Sequence, residues 1–433
     1  MKSYNHLYEK YMTVENYQEA VKNATRHKGG KKKKNKRARW YRDHVEENQA
    51  RLMDYAEHFR SEHHRPVLIY DGIRRKQRWI VVPSMREQIV HHMVINILKP
   101  IFMRGMYEHS FGSVPGRGAH LGKARIEKWI RTGGRDVKYC LKMDIRKYFD
   151  SVPHGIIKDK LRKVIHDEKF LRILDEIIDA GPGEKGLPIG FYTSQWFANW
   201  YLTGLDHWIK EELRAKYSAR YMDDMIIFGG NKRELHEMRK RIAGYLRDVL
   251  GLEMKGNWQV FRFDYIRRDG KQVGRDLDFM GFRFFRGRTI LRKTLMHRMT
   301  RKAKRIGRKE TKTVYDCRQM LSYLGWIDCT DVYRMYRKRI KPHVNFQYMK
   351  RRESAYTRAC NRREKKNGLV QVRERGQRAA GGPGHHQQQK VELRPEGLPE
   401  DRGPGEGRTD LSGALGMDGD EGGEGDLGDL PAG

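Results

Sequence analysis

Residues 219–228, ARYMDDMIIF, place two adjacent acids, Asp223 and Asp224, between two runs of strand-forming apolar residues. The pattern predicts a β-hairpin that turns at carboxylates, and whatever surrounds it must accommodate that charge. Asp tolerates tight turns and caps its own backbone, so turn chemistry by itself accounts for the pair. The same placement suits a metal site, which needs hard oxygen ligands held by rigid strands. Four residues do not separate these readings.

A second acidic segment lies upstream in YCLKMDIRKYFDSV (139–152), where alternating residues lead to Asp144 at the end of a strand-like run. Alone, Asp144 reads as a strand-end or helix-cap acid. Beside the hairpin it completes what two-metal phosphoryl transfer requires. Carboxylates on adjacent strands can hold two Mg²⁺ about 3.5–4 Å apart, activating the attacking oxygen and stabilising the leaving one. Mg²⁺ suits a site with few protein carboxylates, its other positions taken by phosphate oxygens and water. No P-loop and no Ser–His–Asp arrangement occurs, so nothing points to a covalent intermediate.

The charge balance names the partner class. The chain has 433 residues, enough for two or three domains, with 90 Lys+Arg against 55 Asp+Glu and a net charge of +35. From Gln371 onward there are 7 Lys+Arg and 13 Asp+Glu, which leaves 83 against 42 upstream. A body this basic binds polyanions by counterion release, and nucleic acid is the commonest of them. The four cysteines, Cys140, Cys317, Cys329 and Cys360, show no CxxC pairing, which argues against a zinc knuckle or a disulfide framework. No apolar run reaches membrane-spanning length and no signal-peptide core is evident, so the expectation is a cytoplasmic protein without a membrane partner.

Four segments follow from pattern and composition. Residues 1–64 read as a helical extension interrupted by the basic run KGGKKKKNKRARW (28–40), and residues 65–290 alternate short β-type runs with amphipathic helices. Residues 291–366 are Arg/Lys-rich at helical spacing. Residues 367–433 turn to Gly, Pro, Gln and acids, too little apolar surface to fold, and are expected to be disordered.

The order MDIRKYFD, GLPIGFYTSQWFANWYL, RYMDD, LGLEMKGNWQVF and LDFMGF resembles the consecutive palm motifs of reverse transcriptases. RWIVVPSMREQIVHHMVINILKPIF and HSFGSVPGRGAH are similar to the fingers motifs of the bacterial, intron-related branch. Within IGFYTSQ (189–195), Ile189-Gly190 and Ser194-Gln195 stand where retroviral and intron-type enzymes usually carry Gln-Gly and Ser-Pro. These pairs, and the segments MKSYNHLYEKYMTVENYQEA and FRFFRGRTILRKTLMHRM, resemble the reverse transcriptases of diversity-generating retroelements. The likeness covers residues 1–305, and the acidic tail departs from it.

The resemblance implies an α+β right-hand polymerase, with fingers, a palm of antiparallel sheet plus helices, and a small helical thumb. It implies an RNA-directed DNA polymerase, bacterial or phage-encoded, that copies a template-repeat RNA into cDNA with errors directed at adenines. Template RNA, primer and cDNA, dNTPs and two Mg²⁺ would be its ligands, and a small basic oligomeric accessory variability determinant its protein partner. Asp144, Asp223 and Asp224 would bind metal, with Ile145 lending a backbone carbonyl. Asp224 directly follows Asp223, so strand alternation would turn it to the opposite side.

Phe149 matches the aromatic that stacks under the incoming sugar and excludes a 2′-hydroxyl. Arg78 and Arg117 are triphosphate candidates, since guanidinium forks suit phosphate oxygens. Lys255 falls where the family places a lysine near the pyrophosphate leaving group. Ile189, Gly190 and Gln195 would line the nucleotide site. Two alternatives stay open: a defence-associated or retron-type reverse transcriptase, and a catalytically inactive RNA-binding scaffold.

Overall fold

The computed structural model describes residues 3–26, 33–71, 76–181 and 183–379. The described residues before Ile290 form one compact unit, and those from Ile290 to Ala379 form a second.

The first unit is built around a four-stranded antiparallel sheet. Its strands are β3 (Tyr139–Asp144), β4 (Tyr217–Tyr221), β5 (Asp224–Gly229) and β6 (Gln259–Arg262), in the order β4-β5-β3-β6. The period of two sorts its faces: Leu141 and Met143 of β3, with Met225 and Ile227 of β5, join one large buried cluster. Cys140, Ile226 and Phe228 are buried on the other face. The cluster side is covered by helices α8 (His154–Arg162), α9 (Glu168–Asp179), α10 (Tyr192–Tyr201), α11 (Thr203–Glu211) and α12 (Lys232–Asp248), whose apolar stripes it contains.

A separate two-stranded ribbon, β1 (Val67–Asp71) with β2 (Lys76–Ile80), precedes the long helix α5 (Met85–Gly105). Ser84 caps α5, its Oγ accepting from Glu87 N at 3.3 Å. Ile89, Val90, Met93, Val94, Leu98 and Phe102 put a helical-period stripe of α5 into the core.

The N-terminal segment is an integral part of this core. Tyr11 of α1 (Leu7–Tyr11) and Tyr17, Ala20, Val21 and Ala24 of α2 (Val14–Thr25) are buried within the same cluster as α5. Asn16 Nδ2 donates to Tyr11 O at 2.8 Å and to Met93 O at 3.2 Å, stitching both helices to α5. Part of the basic run, residues 28–32, lies outside the described residues.

The second unit is helical and basic: α13 (Lys293–Gly307), α14 (Val314–Asp328), α15 (Tyr333–Arg339) and α16 (Phe346–Ala379). A reciprocal capping box between Thr313 and Asp316 starts α14. Cys317 and Met320 of α14 and Met299 and Ile306 of α13 are buried. The backbone of α16 stays helical to Ala379, past the compositional break placed at residue 367; residues 380–433 of the expected tail lie outside the described residues. Among the described residues no helix is long and apolar enough to cross a membrane, and all four cysteines are free, Cys140 and Cys317 being buried.

One buried group in α5 opposes folding. His91 is fully buried against Phe191 and Phe59, and neither ring nitrogen finds a hydrogen-bond partner. Burial pulls its pKa down to about 3. The folded state therefore holds fewer protons than the unfolded one, whose histidine titrates near 6.5. This contribution is complete above that value and is lost progressively as pH falls from it toward about 3. His91→Leu, which removes the unsatisfied ring, is expected to raise unfolding stability by about 1 kcal/mol at pH 7. The advantage should widen at pH 5, measured by denaturant titration at both pH values.

Candidate active site

The register of the central sheet places Asp144 directly opposite Asp224. Cross-strand partners share a face, so these two carboxylates point the same way. Asp223 is not in a strand: it occupies the two-residue turn between β4 and β5, preceded by Met222 at φ 56°. Strand alternation therefore does not separate Asp223 from Asp224, and the expectation that Asp224 turns away is corrected. Met222 is neither Gly nor Asn, so its left-handed backbone is strained and must be held by its surroundings.

Arg220 does much of the holding. Its side chain is 1 % exposed and lies beneath the turn. Nε and Nη2 donate to the buried Asp206 carboxylate at 2.8 and 2.6 Å. Nη1 donates to Met222 O at 3.0 Å and Asn199 Oδ1 at 3.1 Å, and Nη2 to Asn199 O at 3.2 Å. Asn199 in turn donates to Gly112 O at 2.8 Å. A Cβ on Gly112 would come within 2.6 Å of Met222 N, so only glycine lets this segment pack against the turn.

Lys255 lies beside Asp144. Its backbone N–H donates to Asp144 O at 2.8 Å, and its ammonium lies 3.3 Å from Asp144 Oδ2. Next to it, Ile145 forms an antiparallel bridge with Met254. Lys142, two residues before Asp144 on the same face, places its ammonium 3.4 Å from Asp224 Oδ2 and also donates to Asp278 O. Asp224 Oδ1 is buried and has no hydrogen-bond partner. Among the described residues no three or more His, Cys, Asp or Glu side chains form a group able to hold a metal ion, so the three aspartates do not close into a cage.

The acids are electrostatically loaded. Asp223 is pushed up to about 6, first by burial and then by the Asp144 carboxylate, with the Arg78 guanidinium pulling the other way. Burial pushes Asp224 up to about 7; Lys142 opposes this and Asp144 adds to it. The influence of Arg78 on Asp223 brings the β1–β2 ribbon into the electrostatics of the turn.

The loop before α10 ties the remaining candidates together. Leu187 N donates to Phe149 O at 2.7 Å, and Val81 N donates to Ile189 O at 2.7 Å. Gly190 sits at φ 119°, and a Cβ there would lie 2.0 Å from Val81 O. Phe149 and Ile189 are half-buried, and Gln195 is exposed on α10. Arg117 reaches the end of α5 through one nitrogen. Its Nη1 donates to Met106 O at 3.2 Å and Tyr107 O at 2.7 Å. The carbonyls at the end of α5 claim that donor, with the helix dipole favouring the cation there.

Comparison with known proteins fits this geometry. Residues 70–262 match the family model described as reverse transcriptase (RNA-dependent DNA polymerase). They form a reverse transcriptase domain. The α+β architecture is accordingly the right-hand polymerase fold, with the four-stranded sheet as palm. Protein YkfC of Escherichia coli K12 is 24% identical over 223 residues, 41% of this chain and 58% of that protein. Nuclear intron maturase 1, mitochondrial, of Arabidopsis thaliana is 27% identical over 93 residues, 22% of this chain and 12% of that protein. The chain spans less than two thirds of these curated relatives. Telomerase from Candida albicans, solved with a fragment of telomeric RNA, aligns with TM-score 0.40 and 13% identity over 68% of this chain and 61% of that one.

Arg220 and Asp206 were not among the residues expected from sequence to matter, although RY immediately precedes the paired acids. Arg220→Met should leave Asp206 buried and unpaired, lowering unfolding stability by about 3–5 kcal/mol in denaturant titration. The double variant Arg220→Met/Asp206→Leu should recover most of that loss.

Proposed function

We propose that the protein is an RNA-directed DNA polymerase that joins a primer 3′-hydroxyl to the α-phosphate of a dNTP on an RNA template. The observation that carries this reading is the meeting of Asp144 with Asp223 and Asp224 at one end of the palm sheet, inside the matched domain.

The acids fit Mg²⁺. The mutual repulsion of the half-buried Asp144 and Asp223 carboxylates is relieved by a cation. Asp144 and Asp223, with the Ile145 carbonyl, would hold two Mg²⁺, the remaining positions falling to substrate phosphates. When bound, the ions supply charge neutralisation and Lewis acidity for phosphoryl transfer. The residues of the chain do the rest by positioning. Lys255 offers a cation, and a proton source for the leaving pyrophosphate, beside Asp144. Arg78 offers a guanidinium to the triphosphate. Phe149, held by the loop through Leu187, presents a half-buried ring under the nucleotide sugar and excludes a 2′-hydroxyl. The helical second unit serves as thumb, and its basic residues hold the template–primer duplex.

Asp144→Asn and Asp223→Asn are each expected to lower Mg²⁺-dependent dNTP incorporation by roughly a thousandfold or more, with RNA binding near wild type in gel-shift titration. Retained polymerisation in either variant would remove the assignment.

The finer reading is a polymerase of a diversity-generating retroelement, acting with an accessory variability determinant. Ile189-Gly190 and Ser194-Gln195 support it. Ile189 has no side-chain donor or acceptor where accurate relatives carry glutamine, so a polar check on the nascent pair is absent. Restoring one hydrogen bond is worth about 0.5–1.5 kcal/mol. Ile189→Gln should therefore lower misincorporation opposite template adenine about three- to tenfold, read by sequencing cDNA made on one adenine-containing template. A wild-type enzyme that copies adenine as accurately as the other bases would refute the retroelement reading and leave reverse transcription standing.

A further inference from the structure

The proposed metal site has three carboxylates but an unequal supply of cations around them. Lys142 projects from β3 on the face that carries Asp144, since the two are separated by one pleat. Across the sheet it is paired with Ile226, which makes Asp224 its diagonal neighbour and within reach of a long side chain. Its ammonium is held from two sides, by Asp224 Oδ2 at 3.4 Å and by the backbone carbonyl of Asp278. Asp278 belongs to β9 (Leu277–Phe279), paired with β10 (Phe282–Phe284) in a hairpin; β7 (Tyr265–Ile266) and β8 (Gln272–Val273) form the small ribbon before it.

We propose that Lys142 is a positioning residue that withholds the Asp224 carboxylate from the metals, so that Asp144 and Asp223 alone among the three aspartates ligate. This rests on the reading of Asp144 and Asp223 as the metal pair. Lys142 differs from Lys255, the other cation at the acids. Lys255 is about half exposed and pairs only with Asp144, whereas Lys142 is half-buried and also anchored to a backbone carbonyl. An ammonium fixed in this way offsets part of the Asp224 charge and holds its Oδ2 on the lysine side. It also links Asp224 to the β9–β10 hairpin through one side chain.

The test is Mn²⁺ binding by the full-length protein without nucleic acid, read from the free-ion electron paramagnetic resonance signal. Lys142→Met should release Asp224 as a third carboxylate ligand and tighten Mn²⁺ binding about tenfold. Lys142→Arg should keep the wild-type affinity. In the Lys142→Met/Asp224→Asn double variant the gain should vanish, because it acts through Asp224. An unchanged affinity in Lys142→Met overturns the inference, as does a gain of equal size in the double variant, which would make Lys142 a diffuse charge. Should Lys142→Met fail to fold, Lys142→Gln, which keeps a donor for the Asp278 carbonyl, carries the same measurement. A wild-type protein that binds no Mn²⁺, or an Asp144→Asn variant that binds as well as wild type, refutes the metal pair itself. That outcome is distinct from failure of the lysine's role.

Discussion

A guanidinium sealed from water beneath a reactive turn is an expensive foundation, and the palm is arranged to offset its cost. Arg220 gives up its hydration and receives Asp206, the Asn199 side chain and two backbone carbonyls in return. Those partners come from three parts of the site. Asp206 comes from α11, Asn199 from α10 and Met222 from the turn itself, and Asn199 extends the network to Gly112. The position of Asp223 is thus fixed by a network whose members cannot shift singly without stranding a buried charge. That rigidity is what allows a non-glycine residue to remain at φ 56° next to a carboxylate.

Charge operates on two scales in the molecule. The excess of Lys and Arg over the whole chain acts at long range on a polyanion and is screened by salt. At the acids the relevant cations are few and individually placed: Lys142 at Asp224, Lys255 at Asp144, and Arg78 acting on Asp223. The carboxylates nonetheless remain poorly solvated, and two of them are pushed toward neutrality. The basic excess suits a polyanion at long range, while the partly compensated acids keep a local negative charge. Neither property substitutes for the other.

Much of this was legible from the sequence because the palm obeys a simple period. Alternation in YCLKMD and MIIF gave the strands, and Asp144 and the Asp223–Asp224 pair were recognisable as strand ends and turn before any fold was known. The same period would also have singled out Lys142, two residues before Asp144, but a lysine in a chain with 90 basic residues carries little information by itself. Arg117 shows what the sequence hides: backbone carbonyls take its Nη1, and backbone partners leave no trace in sequence. The N-terminal helices were read as an extension because their polar faces dominate composition; their buried stripe, with Tyr11, Tyr17 and Val21, makes them part of the core.

The loop at residues 186–190 shows how backbone geometry carries a constraint across the site. It accepts from Val81 on one side and donates to Phe149 on the other, so the ribbon that carries Arg78 and the segment that carries Phe149 are joined through three residues, Leu187 to Ile189. Close approach at Gly190 leaves no space for a Cβ, which makes the loop's contact with Val81 steric as well as hydrogen-bonded. Ile189 lies inside that clamp with a fixed backbone, and only its side chain is free to vary in chemistry. A residue held this way can be exchanged for a polar one without moving the loop. Its side chain is therefore open to chemical change, while the glycine beside it fixes the path of the backbone.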